Sequence, residues 1–208
     1  MKSQVRPDHY IKGSYDTKER FVSYWHQISE IIQLRSNKVL EVGIGNGFVS
    51  RYLKKKGINV VTLDIDHELK PNIAGSVLSI PFGSKSVNVV TCCEVLEHLP
   101  YIDFTRALKE IHRVSREHVI LSLPDHTAIY RFNIELPRIK KPIKKLIPHP
   151  FPRPTHHEYD GVHHWIIGKT NYPLKKIVLD IKRTGFKILK TYRVFEFYGH
   201  RFFLLEKL

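Results

Sequence analysis

The chain has few of the residues that hold small secreted folds together, and it lacks long apolar runs. Its only two cysteines, Cys92 and Cys93, are neighbours and cannot link distant segments. No stretch approaches the ~18 consecutive uncharged apolar residues of a membrane-spanning helix. Residues 1–8 contain no apolar core of a signal peptide. We therefore expect a cytoplasmic protein with free thiols and no membrane span.

Acidic residues are also scarce relative to basic ones. The 34 lysines and arginines outnumber the 20 aspartates and glutamates, which gives a formal net charge of +14. Such a field attracts anionic metabolites, RNA or acidic membrane surfaces, but it does not determine a fold. Since 42% of the 208 residues are hydrophobic, a single domain over residues 1–208 with its own core is expected, with an N-terminal cap and helix over residues 1–35.

Apolar runs alternate with amphipathic segments along most of the chain. Strands are predicted at residues 38–42, 60–64, 87–93 and 118–123, with two more, 186–194 and 201–205, near the end. Strands that are apolar throughout predict a parallel sheet with helices on both faces, and therefore a doubly wound α/β domain. In the first helix, the spacing predicts a buried face formed by Phe21, Trp25, Ile28 and Ile32.

Residues 124–172 interrupt this alternation. The segment is long for a connection, and six of the chain's 12 prolines lie between Pro137 and Pro154. Residues 136–157 contain no acidic residue and several lysines and arginines. Long ordered connections usually carry function, so we predict an insertion with a binding role; a solvated basic surface is the alternative.

A strand, a Gly-x-Gly-x-Gly turn and a helix are typical of a nucleotide-binding corner. The turn contains Gly43, Gly45 and Gly47, and it allows a ligand to approach backbone N–H groups. Asp64, at the end of the second strand, is suited to accept both hydroxyls of an unphosphorylated ribose. Glu41 precedes the turn, where a carboxylate repels a pyrophosphate and attracts an ammonium or sulfonium group. The spacing also differs from the Gly-x-Gly-x-x-Gly of nicotinamide enzymes, although an oxidoreductase of that kind remains an alternative.

Two further motifs follow in order, residues 75–82 (Gly-Ser-Val-Leu-Ser-Ile-Pro-Phe) and residues 94–99 (Glu-Val-Leu-Glu-His-Leu). With the glycine turn and Asp64, they resemble the class I S-adenosylmethionine-dependent methyltransferases, in the broad branch that includes many small-molecule methyltransferases. The resemblance is carried by residues 39–123. It implies a mostly parallel seven-stranded sheet of the Rossmann-like methyltransferase type, with S-adenosyl-L-methionine as the cofactor.

The resemblance also implies which residues bind the cofactor. They are Glu41, Gly43, Gly45, Gly47, Asp64, Ile65, Ser76, Val77 and Glu94. Ile65 would pack on the adenine, the backbone N–H of Val77 would meet its ring, and Glu94 would lie near the methionine moiety. The family usually has an aspartate where this chain has Ser76, which implies a weaker contact to the adenine amine.

Methyl transfer depends on placing the acceptor in line with the methyl group, and a hydroxyl or amine acceptor must also lose a proton. His126 follows the strand that ends at Leu123, on the side where parallel sheets bind ligands. His163 belongs to a segment, residues 156–164, with four histidines and two acidic residues. Related methyltransferases commonly elaborate this position to choose their substrate, and by that resemblance we predict His126 and His163 as catalytic residues. The segment matches no recognised zinc spacing, so no metal site is predicted, and acceptor binding, metal binding and packing stay open for its other histidines.

The sequence as a whole predicts methyl transfer to a small or phosphorylated metabolite. An RNA methyltransferase is the alternative within this chemistry, although residues 94–96 stand where such enzymes often have an Asn/Asp-Pro-Pro-Tyr-like tetrapeptide. A non-catalytic scaffold with a vestigial cofactor pocket is a further alternative. The oligomeric state is not indicated.

Overall fold

The computed structural model describes residues 10, 15–138 and 141–208. Its helices are α1 (Lys18–Gln33), α2 (Phe48–Lys55), α3 (Tyr101–Val114) and α4 (Leu174–Arg183), with short 3-10 turns at His67–Leu69 and Leu96–His98. Its strands are β1 (Lys38–Val42), β2 (Asn59–Asp64), β3 (Ile73–Ala74), β4 (Val87–Cys93), β5 (Ser115–Pro124), β6 (Ile129–Ile134), β7 (Ile143–Pro148), β8 (Phe186–Arg193) and β9 (His200–Lys207).

Seven of the strands form one mixed sheet in the order β3-β2-β1-β4-β5-β9-β8. The pairs from β3 to β5 are parallel, whereas β9 runs antiparallel to both β5 and β8. The predicted doubly wound, mostly parallel seven-stranded fold is therefore confirmed. The strand order reverses between β1 and β4, and open α/β sheets bind ligands at the carboxyl ends of strands on either side of such a point.

Hydrophobic side chains cover both faces of the sheet. On one face, Phe104 and Leu108 of α3 and Ile177 of α4 pack against the strands. On the other, residues of α1 and α2 such as Ile31 and Leu53 form a second core. The interior of the central strands is buried on both sides, which explains why their sequences are apolar throughout.

The prediction for the buried face of α1 was largely wrong. Phe21, Trp25 and Ile32 are 42%, 60% and 43% exposed, and only Ile28 of the predicted face is buried. The side chains that face the sheet are Ser23, Tyr24, Gln27, Ile28, Glu30 and Ile31. Three of these are polar, so apolar periodicity could not identify the face. Their partners include Lys190 and Tyr192 of β8, which lie 2.6 and 2.7 Å from Glu30 Oε1.

The segment between β5 and α4 contains a separate antiparallel hairpin, β6 paired with β7. After the hairpin the chain returns to the sheet, where Ile167 forms a bridge with Asp125. Trp165 is fully buried there and donates its Nε1–H to Leu99 O at 3.1 Å. Within the described ranges, none of the helices combines the length and apolar character that crossing a membrane would require.

Candidate active site

The predicted glycine turn connects β1 to α2 and has a backbone that other residues adopt only under strain. Gly43, Gly45 and Gly47 have φ angles of +83°, +52° and +69°. A Cβ atom on Gly43 would lie 2.3 Å from Cγ2 of Val95, so a larger residue has no room there. The turn therefore depends on glycine for both its backbone conformation and its packing.

Asp64 lies at the end of β2 and supports this turn from the neighbouring strand. Its Oδ2 accepts a hydrogen bond from the Ile44 N–H at 2.8 Å, and its Oδ1 accepts one from the Asp66 N–H at 2.9 Å. Burial raises the pKa of the Asp64 carboxyl, and the backbone donors counteract part of that rise. Each carboxylate oxygen can accept more than one hydrogen bond, so these bonds leave capacity for a ligand.

Glu41 is a buried carboxyl group in the interior strand β1. The residue is 4% exposed, and its Oε2 has no hydrogen-bond partner among the described residues. Burial raises the pKa of Glu41 to about 8. A buried carboxyl oxygen without a partner is unfavourable, and a cationic ligand group nearby would satisfy it.

Glu94 follows β4 and is the first residue of a connected set of polar side chains. Its own φ is +53°, which is uncommon outside glycine. Its Oε1 accepts a hydrogen bond from Ser122 Oγ at 2.8 Å, and its Oε2 lies 3.4 Å from His200 Nε2. His200 Nδ1 in turn lies 3.0 Å from Ser23 Oγ of α1. Burial raises the pKa of Glu94, and it lowers the pKa of His200 to about 3.

Sequence reasoning did not identify Ser23, Ser122 or His200 as part of the site. Ser23 and His200 are 177 residues apart in the chain, and only the folding of β9 beside α1 brings them together. Neither residue belongs to a motif, so no signal in the sequence pointed to them.

These residues surround one cavity of about 680 Å³ at the carboxyl ends of the strands. The predicted residues in its lining are Glu41, Gly43, Gly45, Asp64, Ile65, Ser76, Val77, Glu94, His126 and His163. Gly47 is not in the lining and instead begins α2. Ser76 accepts a hydrogen bond from the Leu78 N–H through its Oγ, at 3.2 Å. Ile65 presents a side chain that is 37% exposed.

The insertion supplies another part of the wall, with Asp160, Val162 and His163 in the lining. His163 lies there with its Nδ1 3.5 Å from Asp160 Oδ2, and its ring stacks on His98 with 5.2 Å between ring centroids. His98 follows β4, and its Nδ1 lies 2.9 Å from Val162 O. Burial lowers the pKa of both His126 and His163, so both rings are neutral near pH 7 and able to accept a proton.

The other histidines of residues 156–164 do not line the cavity. His156 is exposed, His157 Nε2 lies 3.1 Å from His163 O, and the His164 ring stacks on Tyr159. Asp125, which directly follows β5, is fully buried beside Arg193 and Arg201 and therefore has a structural position.

Few cations line the cavity. Among the described lining residues, Arg20 is the one lysine or arginine, and it lies over the Tyr15 ring at 4.0 Å. The basic residues Lys141, Lys144, Lys145 and Arg153 of the insertion lie outside the lining, and Lys140 falls outside the described residues. Lys144 pairs with Glu196 at 2.7 Å.

Comparison with known proteins relates the central segment to methyltransferases. Residues 40–123 match the family model described as a methyltransferase domain. An uncharacterised protein of Methanocaldococcus jannaschii is 31% identical over 114 residues, which cover 50% of this chain and 48% of that protein. A ubiquinone biosynthesis O-methyltransferase of Pseudomonas aeruginosa is 29% identical over 102 residues, which cover 42% of this chain and 43% of the relative. The matched region thus spans less than half the length of these relatives.

The fold is shared with solved methyltransferases. A magnesium protoporphyrin IX methyltransferase from Synechocystis, crystallised with bound S-adenosylmethionine, superposes with a TM-score of 0.57 at 15% identity. The match covers 91% of this chain and 79% of that enzyme. The predicted fold is confirmed, and residues 40–123 match a model of the predicted methyltransferase kind.

Proposed function

We propose that the protein transfers a methyl group from S-adenosylmethionine to a small-molecule acceptor, because residues 40–123 match a methyltransferase domain model. The observation that carries this proposal is the shared cavity. The residues predicted for the cofactor and the two histidines predicted for the acceptor line the same space of about 680 Å³. Cavities of this size accommodate ligands of a few dozen atoms.

The residues present suit the cofactor. Gly43 and Gly45 line the cavity, and without side chains they leave the backbone of the turn open to a ligand. The buried Oε2 of Glu41, which has no hydrogen-bond partner among the described residues, suits a cationic group, and Asp64 suits a ribose without a 2′-phosphate. Glu41, Gly43, Gly45, Asp64, Ile65, Ser76, Val77 and Glu94 would hold it. When bound, S-adenosylmethionine supplies a methyl group on a sulfonium, a leaving group that needs no further activation.

The protein's own contribution is therefore placement and proton removal. Holding an acceptor in line with the methyl group removes much of the entropic barrier of a two-substrate reaction. His126 and His163 are neutral near pH 7 and face the cavity, so either can accept the proton of an acceptor hydroxyl. The polar set of Ser23, His200, Glu94 and Ser122 fixes the orientation of the Glu94 carboxyl.

A hydroxyl group on a small molecule is the acceptor that we propose. The P. aeruginosa relative is named an O-methyltransferase, and it aligns with 42% of this chain. Among the described lining residues, Arg20 is the one cation that a phosphate or carboxylate on the acceptor could meet, since the described lysines of the insertion lie outside the cavity. A cavity with a single cation argues for an acceptor with little negative charge.

The first test is ligand binding by the full chain, followed by transfer of a labelled methyl group. S-adenosylhomocysteine should raise the melting temperature, whereas NAD and NADP should not. Methyl transfer to phenolic and other hydroxyl compounds should depend on His126 or His163. Equal stabilisation by NAD would contradict the proposal. Methyl transfer to an RNA that binds tightly at physiological salt would favour the RNA alternative if the binding is lost when Lys141, Lys144 and Lys145 become glutamine.

A further inference from the structure

Three side chains that could ligate a metal ion meet in the cavity wall. Glu97 and His98 lie on the 3-10 turn Leu96–His98 after β4, and His163 comes from the insertion. One candidate ligand atom from each lies within 4.8 Å of the others. We refer to these residues as the Glu97–His98–His163 cluster.

Glu97 is the most unusual member of the cluster. It is 0% exposed, and among the described residues neither of its carboxyl oxygens has a hydrogen-bond partner. Buried carboxyl groups in proteins are nearly always hydrogen-bonded or paired with a cation. Since neither oxygen has a hydrogen-bond partner among the described residues, Glu97 is suited to a cationic partner that enters from the cavity.

The two histidines are held in a way that suits ligation. His98 Nδ1 lies 2.9 Å from Val162 O, and because a carbonyl oxygen only accepts, Nδ1 is the donor. In the neutral ring the lone pair is then on Nε2, which points away from Val162. His163 Nδ1 faces Asp160 Oδ2 at 3.5 Å, an arrangement that similarly directs its Nε2 to the other side of the ring. In metal-binding histidines, the ring nitrogen that does not bind the metal commonly donates a hydrogen bond to such a carbonyl or carboxylate oxygen.

Asp160 itself is fixed in place. Its Oδ1 accepts hydrogen bonds from the N–H groups of Val162 and His163, at 2.9 and 2.6 Å. The turn at residues 160–163 therefore carries both His163 and the Asp160 carboxylate that faces its Nδ1. His98 is attached to the same turn through Val162 O, so the two rings are positioned together.

We propose that the Glu97–His98–His163 cluster binds a divalent first-row transition-metal ion, with Zn²⁺ as the best match. Two imidazoles and one carboxylate are a common ligand set for such ions, and three protein ligands leave at least one coordination position open toward a substrate. All three residues line the cavity that also contains the predicted cofactor residues, so the open position faces the acceptor. The spacing of residues 156–164 did not indicate this site, because two of its ligands come from a different segment.

The role of the ion rests on the proposed function. A hydroxyl oxygen of the acceptor would occupy the open position, and coordination lowers the pKa of such a hydroxyl. The O–H bond then breaks with its electron pair left on oxygen, and the proton passes to His126, which lines the same cavity, because His163 serves as a metal ligand. This positions the acceptor and ionises it near neutral pH.

The test uses the full chain after removal of metal by a chelator. Zn²⁺ is titrated calorimetrically, and Co²⁺ is added separately because its visible absorption reports imidazole and carboxylate ligation. We expect one ion per chain, with binding weakened about 10–100-fold in Asp160→Asn and by more than that in Glu97→Gln and His163→Ala, which each lose a direct ligand. His67→Ala removes an exposed histidine outside the cavity and should bind like the wild type.

The result that overturns the proposal is the absence of stoichiometric binding in the wild type, or equal affinity in Glu97→Gln and the wild type. If His163→Ala does not fold, Asp160→Asn, which keeps all three ligands, provides the comparison. S-adenosylhomocysteine binding is measured on the same metal-free protein. If S-adenosylhomocysteine binds but no metal does, the metal site is rejected and the methyltransferase proposal stands. If metal binds but S-adenosylhomocysteine does not, the methyltransferase proposal is rejected.

Discussion

The two walls of the cavity are stabilised in different ways. The wall between Glu41 and Glu94 is fixed mainly by the backbone, through positive φ angles in the glycine turn and the backbone N–H groups that Asp64 accepts. The wall from the insertion and β9 is fixed by side-chain pairs, His163 with Asp160 in the lining and Asp125 with Arg201 outside it. A backbone-defined wall suits an invariant ligand, whereas side-chain pairs can be exchanged to suit another acceptor.

The largest effect is expected at the buried ion pairs of the insertion side. Asp125 is 0% exposed, with Arg201 Nε at 2.6 Å and Arg193 at 3.8 Å. Asp125→Ala leaves both guanidinium groups without their carboxylate, which should lower the free energy of unfolding by about 3–5 kcal/mol. Urea denaturation measures this change. As a control, Glu206→Ala removes an exposed partner of Lys187 and should cost about 0–1 kcal/mol. Equal losses in the Asp125 and Glu206 variants would contradict a structural role for the buried pairs.

The next effect tests the glycine turn with two matched glycines. Gly43 and Gly57 have nearly the same φ, +83° and +81°, but a Cβ would meet Val95 at 2.3 Å in the first and nothing within 4 Å in the second. Both alanine variants incur backbone strain of about 1–2 kcal/mol. Gly43→Ala should lose about a further 1–3 kcal/mol from overpacking, and also S-adenosylhomocysteine affinity. Thermal denaturation measures the loss of stability, and calorimetry measures the loss of affinity. Equal losses in the Gly43 and Gly57 variants would show that packing against Val95 is not decisive.

A smaller effect concerns the buried carboxyl of Glu41 and its pH dependence. Burial raises its pKa from 4.5 to about 8, so between those values the folded protein keeps a proton that the unfolded chain has released. Since the folded state then binds more protons, this group lowers stability as pH rises through that window. Glu41→Gln should remove that decline, with no gain near pH 4.5 and a clear gain near pH 8. Urea denaturation of the ligand-free protein at several pH values tests this, and a gain independent of pH would contradict it.

The smallest effect is expected at Ser76. If this position contacts the adenine, Ser76→Asp gains one charge-assisted hydrogen bond and should tighten S-adenosylhomocysteine binding by about tenfold or less. Ser79→Asp is the matched control, because it adds the same charge at an exposed position three residues along, outside the cavity lining. Calorimetric titration compares the two variants. Unchanged or weaker binding in Ser76→Asp would mean that the adenine lies elsewhere in the cavity.

Much of the wall between Glu41 and Glu94 was predictable because its residues follow local rules. A strand end, a glycine turn and a carboxylate at the next strand end occupy nearby positions in any parallel sheet, so Glu41, Gly43 and Asp64 could be placed from their order alone. Gly47 was grouped with them, yet it lies outside the lining at the start of α2. The roles of these residues in binding remain predictions.

The amino-acid sequence by itself determined the fold class, the positions of the central strands along the chain and the glycine turn, because each depends on hydrophobic periodicity or on the conformational freedom of a single residue. Only the tertiary structure decided which face of α1 is buried, that His200 reaches both Ser23 and Glu94, and that Glu97 and His98 lie beside His163. Those contacts join segments that are far apart in the chain. Their formation depends on how helices and loops pack on the finished sheet, and no local pattern of residues encodes it.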